Sequence, residues 1–127
     1  MKKIIAALSL FTMMFLFQQN AQAQTNTSSL LRHIVIITFK DDARVDSIKA
    51  LDNLYSSLSK NAMVKDFEMG VNVSPRDSGI VKHVYVTTFA SKDDMDNYRK
   101  LPEYQQLFKT SLPISSDVTV VDYWVNK

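Results

Sequence analysis

The sequence of 127 residues contains no cysteine, two glycines and two histidines. The absence of cysteine excludes disulfide scaffolds, cysteine-ligated zinc sites, thiol nucleophiles and bacterial lipid anchoring through an N-terminal cysteine. Gly70 and Gly79 are too few for a glycine-rich phosphate loop. Two histidines argue against a metal site built mainly from imidazole. The sequence therefore predicts no metal and no cofactor.

The first 23 residues have the pattern of an export signal. Lys2 and Lys3 precede a mostly apolar run over residues 4–17, and Ala21-Gln22-Ala23 offers a small-x-small cleavage site. This run fits the ~7–15 residues of a signal-peptide core and is shorter than the ~20 residues of a membrane span. We predict a signal peptide over residues 1–23 and a periplasmic or secreted protein without membrane attachment after cleavage. The alternative is an uncleaved membrane anchor.

Loss of the signal would change the charge balance of the chain. The formal net charge is +2 at pH 7, and both excess positive charges belong to Lys2 and Lys3, so 13 basic and 13 acidic residues would remain. A neutral domain lacks the basic surface that nucleic-acid binding requires, and no nucleic-acid partner is expected. Residues 24–30 are small and polar and are predicted to be a flexible lead-in to a single domain over residues 31–127.

The hydrophobic pattern of this domain predicts the order strand, helix, strand, strand, helix, strand. Asp41 and Asp42 are expected to start the first helix, and a capping box at Ser91 to start the second. Pro102 is expected to begin a short additional helical turn. The predicted strands cover residues 33–39, 67–73, 81–89 and 118–125.

Two βαβ units joined by a hairpin predict an α+β fold, the ferredoxin-like βαββαβ sandwich. Its first and third strands are the central pair, and here these two strands carry apolar residues on both faces. Two helices cover one face of so small a sheet, and an exposed apolar face of that size is rare on soluble monomers. We therefore predict a homodimer with the two sheets packed face to face as a dimeric α/β barrel.

Several short motifs resemble, in order and spacing, the stress-responsive dimeric α/β-barrel (Dabb) family. The resemblance covers residues 31–125 and implies a dimeric barrel. It leaves the activity open, since many members are known as stress-associated proteins and a few are enzymes. The motifs are the segment 32–41, Phe67-Glu-Met-Gly70, the segment 83–91, Asp96-Asn-Tyr98, Leu101-Pro102 and Asp122-Tyr123.

One enzyme of the family, the plant polyketide cyclase that makes olivetolic acid without a cofactor, implies a set of site residues. Its two strand histidines match His33 and His83, and the tyrosines of its first and second helices match Tyr55 and Tyr98. Its catalytic histidine is replaced here by Tyr104. An unperturbed tyrosine titrates near ~10, which is too high for a general base at neutral pH. The cyclase activity is therefore not carried over, and no catalytic residue is assigned.

These five residues are hypothesised to line a pocket for a small apolar or phenolic molecule, because such sites combine an apolar lining with a few polar groups. For each of them the alternative is a structural role: a histidine satisfied inside the core, or a tyrosine packed with its hydroxyl at an edge. Asp122 lies on an otherwise apolar face of the last strand and is expected either to pair with another group or to lie near the exposed end of the strand.

Three classes of function remain open. The sequence favours an exported stress-response module that dimerises and binds a small molecule without established catalysis. The second class is a cofactor-free enzyme of the polyketide-cyclase or monooxygenase type, which rests on fold analogy. The third is a haem-handling protein, which would need an accessible axial ligand, whereas His33 and His83 are both embedded in strands.

Overall fold

The computed structural model describes residues 29–125, so the predicted signal peptide, most of the lead-in and the last two residues lie outside it. The chain alternates strands and helices as the sequence predicts. The elements are β1 (Leu31–Phe39), α1 (Val45–Leu58), β2 (Val64–Val71), a short 3₁₀ turn (Pro75–Asp77), β3 (Lys82–Phe89), α2 (Lys92–Arg99), α3 (Pro102–Ser111) and β4 (Ser115–Trp124).

The four strands form one antiparallel sheet in the order β2-β3-β1-β4. The first and third strands are therefore the central pair, and the predicted ferredoxin-like α+β fold is confirmed. In β1 the residues alternate strictly between buried and half-buried. This alternation divides the sheet into an inner face beneath the helices and an outer face without a helix layer.

The core lies between the inner face and α1, α2 and α3. Leu51 and Tyr98 are almost completely buried there, and Tyr85 and Phe89 fill the space above β3. Polar side chains share this layer, because His33 and His83 occupy inward positions of the two central strands. How these buried polar groups are satisfied determines the candidate site described below.

Two local predictions were wrong. Asp41 and Asp42 do not start α1; they form a turn closed by a hydrogen bond from Ala43 N–H to the carbonyl of Lys40. That turn reverses the chain before a helix can begin, and Arg44 is the N-cap, without a side-chain capping bond. Pro102 begins not a short turn but α3, a ten-residue helix that buries Leu107 against the sheet.

The predicted start of α2 is confirmed. The Ser91 hydroxyl accepts a hydrogen bond of 3.1 Å from the backbone N–H of Asp94, which satisfies one of the unpaired donors in the first turn. Asp93 and Asp94 stand in that turn, where the helix dipole favours negative charge. Within residues 29–125, no helix is long and apolar enough to cross a membrane.

Candidate functional site

The first polar cluster joins α1 to β3 and is called here the Asp52 cluster: Asp52, His83 and Tyr85. Both β3 residues point inward, and Asp52 reaches them from the buried side of α1. The Asp52 carboxylate lies 2.9 Å from Nδ1 of His83 and accepts a hydrogen bond of 2.7 Å from the Tyr85 hydroxyl. One carboxylate oxygen therefore satisfies two buried donors from the central strands.

An aromatic stack closes one side of the Asp52 cluster. The rings of Tyr55 and Tyr85 lie 3.7 Å apart between centroids and are nearly parallel, at 12°. Burial raises the pKa of both hydroxyls well above the ordinary value for tyrosine. Both tyrosines are therefore neutral at physiological pH, and neither can serve there as a general base.

The second polar cluster joins β1, α2 and β4 and is called the Arg99 cluster: His33, Arg99 and Asp122. The strand register places His33 directly opposite Asp122, and Nδ1 of the ring lies 2.5 Å from the carboxylate. Arg99 donates to the other carboxylate oxygen at 2.7 Å, and its guanidinium is 3.2 Å from the same Nδ1. Asp122 thus has the pairing that the sequence left open.

The charge states of this cluster follow from burial and pairing. Burial is the largest influence on His33 and lowers the pKa of its ring, although the adjacent Asp122 acts in the opposite direction. Partial burial would raise the pKa of the Asp122 carboxyl, but hydrogen bonds and charge from His33 and Arg99 outweigh it and lower that pKa. The cluster at neutral pH is therefore a neutral imidazole that donates from Nδ1 to a carboxylate, itself paired with arginine.

Tyr98 and Tyr104 pack beside the Arg99 cluster. Their ring centroids are 5.3 Å apart, and the Tyr104 ring is 6.4 Å from that of His33. Burial raises the pKa of Tyr98 to about 12, which a hydrogen bond with Thr87 offsets in part. Burial also raises the pKa of Tyr104, although the Arg99 guanidinium opposes the shift. Tyr104 therefore does not replace the general base that the cyclase has at this position.

The register of β1 against β3 keeps the two histidines apart. His83 lies across from Ile37, and His33 lies across from Thr87, four residues further along the strands. At ~3.3 Å per residue this is a separation of about 13 Å. The sequence hypothesis placed five residues around one pocket, whereas the structure groups His33 with Tyr98 and Tyr104 and leaves the other two in or beside the Asp52 cluster.

One cavity near these clusters, called the α1 cavity, has a volume of about 580 Å³ and opens between the start of α1, the end of β1 and the loop before β3. His83 and Asp52 form part of its wall. Because most of the remaining wall is apolar, the cavity combines a hydrophobic lining with one oriented polar group, as small-molecule sites do. The lining residues are Phe39, Lys40, Asp41, Ala43, Val45, Ile48, Lys49, Asp52, Gly79, Val81 and His83.

A second cavity of about 120 Å³, called the α3 cavity, lies between β1, β4 and α3. Tyr55 and Tyr104 line it, together with apolar residues such as Val35 and Phe108. Three of the five predicted site residues border these cavities: His83 borders the α1 cavity, whereas Tyr55 and Tyr104 border the α3 cavity. His33 and Tyr98 border neither of these two cavities.

Sequence reasoning missed two of the residues that organise the clusters, Asp52 and Arg99. Asp52 could have been recognised from the sequence, because it lies one helical turn after Ile48 and one before Tyr55, on the face of α1 that points toward the core. An acidic residue on an apolar helix stripe needs a buried partner. Arg99 carried no comparable signal, because the last turn of a helix is an ordinary place for a basic residue.

The chemistry of both clusters is acid–base and hydrogen-bonding chemistry. In each, a carboxylate holds Nδ1 of the histidine. Within residues 29–125, Nε2 of His33 is buried without a hydrogen-bond partner, and no protein group bonds to Nε2 of His83. In that part of the chain no group of three or more histidine, aspartate or glutamate side chains is placed to hold a metal ion. A histidine oriented by a carboxylate can accept a hydrogen bond from a ligand or take up a proton from it.

The antiparallel sheet with helices on one face belongs to the ferredoxin-like α+β class, and in this chain two histidine–carboxylate pairs lie beneath the helices. Residues 31–125 match the family model described as the stress responsive A/B barrel domain. The match covers most of the chain, and the chain belongs to this family.

Curated relatives agree with that assignment. The chain is 28% identical over 106 residues to a stress-response A/B barrel domain-containing protein of Arabidopsis thaliana, which covers 80% of this chain and 39% of that protein. A second protein of the same description and organism is 28% identical over 100 residues, covering 76% of this chain and 86% of the relative. The chain thus spans well under half of the first relative and most of the second.

Solved structures share the fold. Hydroxynitrile lyase from Passiflora edulis matches with a TM-score of 0.70 and 25% identity, over 79% of this chain and 96% of the other. A dimeric ferredoxin-like protein of unknown function from Thermobifida fusca matches with a TM-score of 0.67 and 17% identity, over 78% and 93%.

The buried His33 predicts a defined pH dependence of stability. Its pKa is lower in the folded protein than the ordinary value of 6.5, so the unfolded chain binds more protons between those two values. The free energy of unfolding should therefore decrease as the pH falls from about 7 to about 5. Urea denaturation across this range measures the slope, and His33→Gln should remove a substantial part of it. An unchanged slope in the variant would contradict the assignment.

Proposed function

We propose that this chain is an exported, homodimeric stress-response A/B barrel protein that binds a small apolar or phenolic molecule in the α1 cavity. The observation that carries the proposal is the meeting of an apolar cavity of about 580 Å³ with the oriented imidazole of His83. A cavity of this volume lies within the range of small-molecule sites, ~300–1,000 Å³. Metal and cofactor are not part of the proposal.

The lining of the α1 cavity supports an apolar ligand body. Phe39, Ile48 and Val81 contribute carbon surface to the lining, and the charged residues Lys40 and Lys49 are exposed to solvent. The polar part of a bound molecule would then meet His83, whose Nδ1 is already held by Asp52. The smaller α3 cavity has space for a few heavy atoms and is a weaker candidate.

Dimerisation is proposed through the outer face of the sheet. Ile34, Ile36, Val84 and Val86 point outward from the central strands and remain partly exposed in the single chain, and Val121 on β4 extends the same face at 45% exposure. An apolar surface of this kind on a soluble protein marks an interaction site. The printed description of the T. fusca structure as dimeric supports the same assembly.

Export is proposed from the N-terminal pattern: the chain would be cleaved before Gln24 and would reach the periplasm or the medium. The charged start, the short apolar run and the small-x-small site support this. Mass spectrometry of the exported protein that finds Met1 as its N-terminus would contradict this proposal.

The ligand proposal predicts where a phenol binds. Titration with 4-propylphenol, followed by amide chemical shifts, should perturb residues around the α1 cavity. Val81→Trp should weaken binding at least about tenfold, because the indole would occupy the cavity and remove the apolar surface that the ligand buries.

The matched control is Val73→Trp. Val73 lies on the same β2–β3 connection, is 91% exposed and does not line the cavity, so this variant should bind like the wild type. Equal weakening by the two substitutions, or shifts that map elsewhere, would contradict binding in the α1 cavity.

The dimer proposal predicts the effect of a charge on the outer sheet face. Ile36→Lys would place an ammonium group at the centre of the proposed interface and should convert the dimer to a monomer, because burying an unpaired charge is costly. Sedimentation velocity at micromolar concentration measures the assembly. Ser57→Lys, at an exposed position of α1, is the control and should remain dimeric. A monomeric wild-type protein would refute the assembly.

A second candidate function is a cofactor-free enzyme of the polyketide-cyclase or monooxygenase type, or a lyase. The observation that favours it is the pairing of His83 with Asp52 at a cavity wall, an arrangement suited to proton transfer. The structural similarity to hydroxynitrile lyase supports the same class. Chemical conversion of a bound ligand that is lost in His83→Gln would favour this candidate over binding alone.

A further inference from the structure

We infer that the α1 cavity selects ligands that carry a hydroxyl hydrogen-bond donor, such as phenols and enols, and discriminates against the corresponding ethers, because the Asp52 cluster presents an acceptor at its inner wall. This inference rests on the proposed ligand binding in the α1 cavity and specifies the chemistry of the ligand. It follows from which atoms of Asp52, His83 and Tyr85 donate hydrogen bonds and which atoms accept them.

Asp52 fixes the tautomer of His83. A neutral imidazole carries its proton on one nitrogen, and the other nitrogen is an acceptor. Nδ1 of His83 lies 2.9 Å from a carboxylate oxygen, which can only accept, so the proton is on Nδ1 and donates to Asp52. Nε2 is then an acceptor, and no group within residues 29–125 donates to it.

The other polar groups of the cluster cannot take over this role. The Tyr85 hydroxyl is the neighbouring donor, but it donates its proton to Asp52 at 2.7 Å. The hydroxyl cannot turn toward a ligand without leaving the carboxylate, and the ring is held in place by the stack with Tyr55. The inner wall therefore offers acceptors and no uncommitted donor from this cluster.

The remaining charged groups of the cavity are at its mouth. Lys40, Asp41 and Lys49 are exposed, so water can satisfy their polar atoms. His83 is different, because only 9% of its surface is exposed and a ligand that displaces water from the cavity must supply a donor to Nε2. A ligand without one leaves a buried acceptor unsatisfied, which is the basis of discrimination by polar sites.

The test compares two probes of matched shape at about pH 8. 4-Propylphenol carries a hydroxyl donor, and 4-propylanisole replaces it with a methyl ether. The phenol should bind about tenfold more tightly or better. Long-range ¹H–¹⁵N correlation spectra of the imidazole should show His83 protonated at Nδ1, with Nε2 shifted by the phenol and not by the ether.

Two substitutions separate the role of Asp52 from simple packing. Asp52→Leu removes the acceptor for Nδ1, allows the proton to move to Nε2 and should reduce the preference for the phenol to about twofold or less. Asp52→Asn keeps a carbonyl acceptor at the same position and should retain both the tautomer and the preference. If Asp52→Leu fails to fold, the wild-type affinity ratio and the tautomer spectrum decide the matter.

The outcomes also distinguish this inference from the proposed function. Equal affinity for the two probes in the α1 cavity, or a His83 protonated at Nε2, would overturn the inference and leave the cavity as a binding site. Binding of neither probe in the α1 cavity would overturn both. A phenol preference that survives in Asp52→Leu would show that another group provides the selectivity and would also overturn the inference.

Discussion

The structure depends on one constraint, which is that each of the two imidazoles on the inner face of the central strands needs a carboxylate partner for its Nδ1. An unsatisfied buried polar group costs about 1–3 kcal/mol, a large share of the stability of a small domain. The Asp122 carboxylate on β4 pairs with Nδ1 of His33, and the Asp52 carboxylate on α1 pairs with Nδ1 of His83. These bonds connect the edge strand β4 and helix α1 to the centre of the sheet, and the same contacts orient the candidate functional groups.

Much of the fold could be predicted from the sequence because local residue patterns determine its helices and strands. The alternation in β1, the helical spacing of α1 and the Ser91 cap each reflect one element and its burial, and their order implied the topology. The start of α1 was misplaced because Asp41 and Asp42 suit a turn as well as a helix start. The family resemblance over residues 31–125 was confirmed by the family match.

The candidate site was less accessible because it depends on register and on side chains from distant elements. Strand spacing alone does not show that His33 and His83 lie about 13 Å apart, since that follows from which residues pair across β1 and β3. Asp52 could have been predicted to have a buried partner, because it is an acidic residue on the apolar face of a helix. Arg99 could not be recognised in this way, because its partner Asp122 is 23 residues away and reaches it only through the tertiary fold. The sequence hypothesis placed five residues around one pocket. The structure divides these residues between the surroundings of the Asp52 cluster and those of the Arg99 cluster.

The proposed function is that of an exported dimer that holds a small molecule in the α1 cavity of each chain. The buried tyrosines stay protonated at physiological pH, which leaves His83, held by the Asp52 carboxylate, as the group suited to meet a ligand in the α1 cavity. The fold itself does not decide the activity, since one fold supports many functions. A native mass spectrum of the protein purified gently from its own host tests the account most directly. The account predicts two chains that each begin at Gln24, together with a reproducible additional small mass. A single bare chain that begins at Met1 would contradict it.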